Sequence, residues 1–257
     1  MLLTVDIGNT NITLGIFDND KFIEEFRLAS DKDLCREEYE ILLKSLCKGF
    51  EITECVIGSV VEELNTKIFS AIKNIFAIDA LFVSHEIETG IKIKIDKPET
   101  LGADRIANAI GASIQYKTPV IVIDFGTATT FDIINRNNEF VGGLIAPGLN
   151  LQIKSLNKFT SKLPRIEVAL SNRAIATNTE EAILSGVIRG SACMIDGLIE
   201  QCEQELGEKA TIIATGGYSG LIANYLKRPF DKIDPTLTLY GLKEFKKLNA
   251  KRKEQCI

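Results

Sequence analysis

A chain of 257 residues with 45% apolar and 25% charged side chains has the make-up of an ordinary globular protein, long enough for one large α/β core or two modest ones. Its formal net charge of −5 gives no basic footprint for neutralising phosphates, so no nucleic-acid partner is expected. Cys35, Cys47, Cys55, Cys193, Cys202 and Cys256 form no C-x-x-C pair and the single histidine is His85, which argues against a zinc site and against a Ser-His-Asp hydrolase.

In chain order, Met1 runs straight into Leu2-Leu3-Thr4-Val5-Asp6, with no basic segment, apolar stretch and cleavage site. No signal peptide is read, and the protein is expected in the cytoplasm. Leu2 to Val5 and Ile12 to Phe17 read as the two strands of a hairpin whose turn contains Asp6-x-Gly8-Asn9. The most apolar stretch, Ile72 to Val83, is interrupted by Lys73, Asn74 and Asp79 and falls far short of a bilayer span, so no membrane partner is expected. Ala80 to Val83 reads as a strand, with His85 in the loop behind it.

Gly102-Ala103-Asp104-Arg105 opens a predicted helix, because Ile106, Ile110 and Ile114 recur at four-residue spacing on one face. The helix dipole would favour an ionised Asp104, and Arg105 could grip a carboxylate or phosphate in a bidentate contact. A plain helix cap with an exposed arginine accounts for these residues as well.

The first hairpin has a counterpart 118 positions later, where Pro119 to Ile123 and Thr130 to Ile134 flank Asp124-Phe125-Gly126-Thr127-Ala128. Two such turns indicate a duplicated domain. A glycine directly after a strand lets backbone come close to a ligand, and the N–H groups of a tight turn together with Asn or Thr can hold phosphate oxygens. A carboxylate repels phosphate but binds it through a cation such as magnesium, so Asp6 and Asp124 read as metal-facing groups of two lobes that hold a nucleoside triphosphate. The chain has neither a Walker P-loop nor a Gly-x-Gly-x-x-Gly fingerprint.

Gly142-Gly143-Leu144-Ile145-Ala146-Pro147-Gly148 reads as a loop over a ligand or as a plain hairpin turn. Thr177 and Glu180 have the spacing of a capping box before a helix that carries Ser185, Gly186, Gly190, Ala192 and Gly197, small enough for close packing against another element or another subunit. Thr211 to Thr215 reads as a buried strand that ends in Gly216-Gly217, where a base or ribose could approach the backbone. The basic run Lys243 to Lys253 reads as a solvated helix face or a frayed tail.

The ordered set Asp6-x-Gly8-Asn9-Thr10, Gly102-x-Asp104-Arg105, Asp124-x-Gly126-Thr127-Ala128, Gly142-Gly143-x-Ile145-x-Pro147-Gly148, Asn178-Thr179, Thr215-Gly216-Gly217 and Asp234-Pro235-x-Leu237-Thr238-Leu239-x-Gly241-Leu242 resembles the type III pantothenate kinases over nearly the whole chain. The resemblance implies an actin-like (acetate kinase/actin superfamily) α/β fold of two ribonuclease-H-like lobes, residues 1–116 and 117–257, with ATP between them. It implies phosphate contacts from Asp6, Gly8, Asn9, Thr10 and Thr127, nucleotide-side contacts from Gly216 and Gly217, magnesium near Asp6, and potassium or ammonium at Asp124. Pantothenate would be held by Gly102, Arg105 and Thr179, with Asp104 accepting the hydroxyl proton. Ile95 stands where the family often has a tyrosine, supplying apolar contact but no phenol. A homodimer is expected. Rival readings are a kinase for another hydroxy acid, a non-catalytic nucleotide-binding regulatory homologue, and an actin-class ATPase, which usually needs a longer chain.

Overall fold

The first strand, β1 (Leu2–Ile7), is covered on both faces. Leu3, Val5 and Ile7 enter a core with Tyr39 and Leu43 of α1 (Arg36–Leu46) and Leu64, Ile68 and Ile72 of α2 (Glu62–Phe76). Thr4 points the other way, its hydroxyl donating to the Gly15 carbonyl at 3.2 Å, on the side covered by α8 (Leu237–Gln255). The computed structural model describes residues 1–255, with side chains described as far as Ala250.

Contacts divide the chain into two units, Met1–Ile114 with the segment from Thr236 onward, and Gln115–Pro235. In the first, β1, β2 (Asn11–Asp18), β3 (Lys21–Ala29), β4 (Glu54–Ser59) and β5 (Leu81–Phe82) form a sheet in the order β3-β2-β1-β4-β5. The hairpin pairs are antiparallel, and β1-β4 and β4-β5 are parallel. In the second, β7 (Val120–Phe125), β8 (Ala128–Ile134), β9 (Glu139–Pro147), β10 (Thr211–Thr215) and β11 (Lys232–Ile233) follow the order β11-β10-β7-β8-β9. Its hairpin pairs are again antiparallel, and β7-β10 and β10-β11 again parallel. The two units repeat one topology, as the paired Asp-x-Gly turns predict. A short strand, β6 (Lys92–Ile93), precedes α3 (Ala103–Gln115).

The core of the second unit sets Ile121, Ile123 and Phe131 against Leu149 and Ile153 of α4 (Leu149–Lys158). It is completed by a continuous helix made of α5 (Thr179–Leu184), a π-helical turn (Ser185–Arg189) and α6 (Gly190–Leu206). Among the described residues this helix, not Ile72 to Val83, is the one long and apolar enough to cross a membrane by length and composition. Its Ile183, Val187, Ile188, Ile195 and Ile199 are spent on the core of the second unit. At the ends of that unit the Tyr116 hydroxyl donates to Asp234 Oδ2 at 2.8 Å.

The sequence reading assigns the C-terminal helix to the second lobe, whereas it packs on the first unit. Leu237, Leu239, Leu242 and Phe245 are buried, each worth about 1.5–3 kcal/mol when taken from water. The basic run is also less solvated than expected. Lys243 is only 7% exposed, lies 2.7 Å from Asp20 and 2.9 Å from Glu244, and covers the Tyr240 ring. Lys246 pairs with Glu54, and Lys247 with Asp20 at 3.3 Å. Lys251, Arg252 and Lys253 lie outside the described side chains. Ile114 is 54% exposed, so the four-residue stripe on α3 ends at Ile110.

Candidate functional site

In the first unit, Asp6 is half-buried near the end of β1, in register with Thr13 of β2 and Gly58 of β4. The turn beyond it is closed by the Gly8 N–H donating to the Asn11 carbonyl at 3.0 Å, which leaves Asn9 and Thr10 exposed at the tip. Ser30, just past β3, braces the turn: its hydroxyl donates to the Gly8 carbonyl at 2.5 Å and its N–H to the Thr10 carbonyl at 3.0 Å. Sequence reasoning passes over Ser30, because nothing local marks a serine more than twenty positions from the turn it supports.

The start of α3 lies at the same end of this sheet. A Cβ built on Gly58 would stand 3.8 Å from Ala103 Cβ, and one on Gly102 would stand 3.3 Å from Val60 Cγ1. The Gly102 carbonyl accepts the first helical bond, from Ile106 N–H at 3.1 Å, so Asp104 falls in the first turn. Asp104 Oδ1 accepts from the Arg105 N–H at 2.7 Å. Burial pushes the Asp104 carboxyl above the usual carboxylate range, while the Arg105 N–H and the Arg105 charge pull it partly back. A Cβ on Gly102 would come 2.5 Å from Asp104 Oδ1, so the glycine makes room for this carboxylate. Ile95 is half-buried in the bend after β6.

The second unit has its own cluster. Asp124, half-buried near the end of β7, is in register with Thr130 of β8 and Thr215 of β10. Gly216 follows directly, with φ +84°, and a Cβ there would lie 2.5 Å from Asp124 Oδ1 and 2.6 Å from Phe125 N. No L-side chain fits that position without displacing the carboxylate. Gly126 N–H donates to the Ala128 carbonyl at 3.1 Å, leaving Thr127 exposed. Gly148 then closes on this turn, its N–H donating to the Thr127 carbonyl at 3.1 Å, and a Cβ on it would be 2.4 Å from that oxygen. The Gly142 to Gly148 segment is therefore the strand β9 with its last glycine locked onto the second turn.

The structure thus groups Asp6, Gly8, Asn9 and Thr10 with Gly102, Asp104 and Arg105 in one unit, and Asp124 and Thr127 with Gly216 and Gly217 in the other. Thr179 stands exposed at the first position of α5 and takes no part in the contacts that assemble either group. The cap of that helix is Asn178, whose Oδ1 accepts from Glu181 N–H at 2.9 Å, one residue later than the Thr177 and Glu180 box the spacing predicts. Asparagine at this place satisfies a free helix N–H as well as threonine does.

Comparison with known proteins places this arrangement. The family model for type III pantothenate kinase matches residues 2–201. The chain belongs to the type III pantothenate kinase family. It is 42% identical to a type III pantothenate kinase of Finegoldia magna, over 97% of this chain and 98% of that one. It is 39% identical to another from Dehalococcoides mccartyi, over 96% of each. Among solved structures, a Campylobacter jejuni protein described as a Baf family transcriptional activator superposes with a TM-score of 0.61 at 24% identity, covering 97% of this chain and 99% of that one. An activator of 2-hydroxyisocaproyl-CoA dehydratase from Clostridium difficile, solved with bound ADPNP, gives 0.56 at 13% identity, covering 98% and 97%. Those two likenesses speak for the fold, which is the actin-like ATPase fold of duplicated ribonuclease-H-like units.

Proposed function

We propose that the chain is a cytoplasmic, homodimeric pantothenate kinase that transfers the γ-phosphoryl group of ATP to the hydroxyl of pantothenate, giving 4'-phosphopantothenate in the first step of coenzyme A biosynthesis. Membership of the family supports the reaction, and the observation that carries the assignment of roles is Asp104. Its carboxylate is half-buried at a helix start, held by a backbone N–H beside a guanidinium, and given room by a glycine. That is a partly desolvated base, placed to accept a proton from an attacking hydroxyl.

Phosphoryl transfer passes through a loose transition state, so most of the acceleration comes from placement and charge neutralisation. In this reading the exposed Asn9 and Thr10 hold phosphate oxygens through backbone N–H groups and short polar side chains, Gly8 closes the turn that presents them and leaves room for the phosphates, and Thr127 matches Asn9 and Thr10 from the second unit. Gly216 and Gly217 leave room for the nucleoside. Arg105 and Gly102, with Thr179 and Ile95, hold pantothenate. Asp104 takes the proton as the new P–O bond forms, and it is placed to do so only in its ionised state.

Among the described residues no three of His, Cys, Asp and Glu gather into an all-protein metal cage. The strand-end carboxylate of Asp6 suits magnesium, which keeps several waters and takes one or two carboxylates plus substrate phosphates. When bound, magnesium supplies charge neutralisation on the phosphates. Asp124, with its Oδ1 beside the bare Gly216, is the group we assign to potassium or ammonium. Activity is then higher in potassium than in sodium; equal rates would remove that role. For the dimer, support comes from Ala182, Gly186, Gly190 and Cys193, a row of small exposed residues along the α5–α6 helix.

Two variants test the roles. Asp104→Asn keeps the shape and removes the base, so turnover falls by about two to four orders of magnitude with binding of a non-hydrolysable ATP analogue retained. Asp6→Asn weakens magnesium–nucleotide binding as well as turnover. Loss of nucleotide binding in the first variant but not in the second would reverse the assignment.

A further inference from the structure

The helix that carries Asp104 is anchored one turn later by a segment far away in sequence. Asn108 is completely buried, and its Oδ1 accepts a hydrogen bond from the Thr238 hydroxyl at 2.7 Å, across 130 positions of chain. Thr238 stands in the first turn of α8. On both sides of this bond the two helices touch backbone to backbone. A Cβ built on Gly241 would come 1.8 Å from the Ala107 carbonyl oxygen, and one on Gly111 would come 2.7 Å from the Leu237 carbonyl oxygen.

Apolar packing alone leaves two helices free to slide by fractions of an ångström, whereas a buried polar pair has one register in which it is satisfied. Asn108 is one helical turn from Asp104, on the same face of α3. Any slide or tilt of α3 against α8 therefore moves the Asp104 carboxylate by a similar amount. A misplacement of about 1 Å at a reacting group can lower turnover by about 10²-fold.

We infer that Asn108 and Thr238 are positioning residues, which fix the register of α3 on α8 and thereby hold the Asp104 carboxylate at its reacting position. The inference rests on the reading of Asp104 as the proton acceptor, and it gives the C-terminal helix a part in the chemistry although it contributes no group to it.

The test uses the full chain with Thr238→Val, which keeps the shape and removes the donor, Thr238→Ser, which restores it, and each of these combined with Asp104→Asn. Steady-state kcat, KM for both substrates, the pH profile of kcat and Tm are measured. We expect Thr238→Val to lower kcat about ten-fold, within the range for a sub-ångström misplacement, with KM for ATP unchanged within about two-fold. Thr238→Ser recovers most of the loss. In the Asp104→Asn background Thr238→Val produces no further fall, because the positioned group is gone. A lower Tm with unchanged kcat, or the same fold-loss in both backgrounds, would mark the bond as structural and overturn the inference. Near-normal turnover of Asp104→Asn alone sinks the base assignment and the positioning role together, a result distinct from an inert Thr238→Val, which sinks only the positioning role.

Discussion

Gly102 and Asp104 fit together only because Gly102 has no side chain: a Cβ built on it would lie 2.5 Å from Asp104 Oδ1. Gly102→Ala must therefore rotate the carboxylate or shift the helix start. We expect turnover to fall about 10- to 100-fold, on the scale of a misplaced reacting group, with binding of an ATP analogue unchanged by calorimetry. Turnover within two-fold of the parent would show that the carboxylate has room to spare.

The half-buried Asp104 carboxyl also links activity to stability. Burial raises its pKa in the folded state, against the opposing pull of Arg105. The folded protein then takes up a proton before the unfolded chain does as pH falls, so this group's stabilising contribution is full below the unfolded pKa and is lost as pH rises through the folded value. At neutral pH the ionised carboxylate is a net cost. Asp104→Asn should raise Tm at pH 7.5, and the gain should shrink in acid. The acid limb of kcat in the parent should lie above the ordinary carboxylate value of about 4. A Tm difference that is negative, or flat with pH, would contradict the burial of this charge.

Gly216→Ala places a methyl group against Asp124 and Phe125 N at φ +84°. The strain of the left-handed backbone adds to the clash, and the variant should lose about 1–3 kcal/mol of stability. Calorimetry should show weaker nucleotide binding, while pantothenate binding survives. Unaltered nucleotide affinity would detach Gly216 from the nucleotide side.

Gly190 is exposed on α6, and a Cβ there meets nothing within 4 Å. Gly190→Leu should stabilise the isolated chain by about 0.5–1 kcal/mol through helix propensity, and yet separate the proposed dimer, because the larger side chain holds the helix faces apart. Sedimentation is expected to move to the mass of one 28.3 kDa chain. A dimer that persists would place the interface on another face.

Both hairpins were legible because Asp-x-Gly recurs after a short β run, and the matching sheet orders follow from that duplication. The equivalence slips by one residue inside the turn, where Gly8 bonds to Asn11 but Gly126 bonds to Ala128. Thr13 is thus the partner of Asp6, and Thr130, not Phe131, the partner of Asp124. Constant spacing cannot reveal this, because turn length is set by backbone geometry. The glycines at 102, 148 and 216 signalled close approach, and the nearest thing approached is the chain itself: a carboxylate, a carbonyl and another carboxylate. The affiliation of α8 was hidden since its charged half masks the buried Leu237, Leu239, Leu242 and Phe245, and the Asn108–Thr238 bond joins residues that no local pattern relates.

The chain leaves the first unit after Ile114 and returns to it at Thr236, which imposes an order on biosynthesis. When β1, β2 and β4 emerge from the ribosome, the face that presents Gly15 and Gly58 has nothing to cover it, since Leu239 and Leu242 are still untranslated. The intervening segment, whose two ends meet through Tyr116 and Asp234, can close on itself in the meantime. The earliest strands therefore wait for the latest helix. A messenger broken or a polypeptide cleaved just after Pro235 would yield a product that retains both Asp-x-Gly turns and Asp104 but exposes an apolar sheet face, a substrate for chaperones and proteases rather than a kinase.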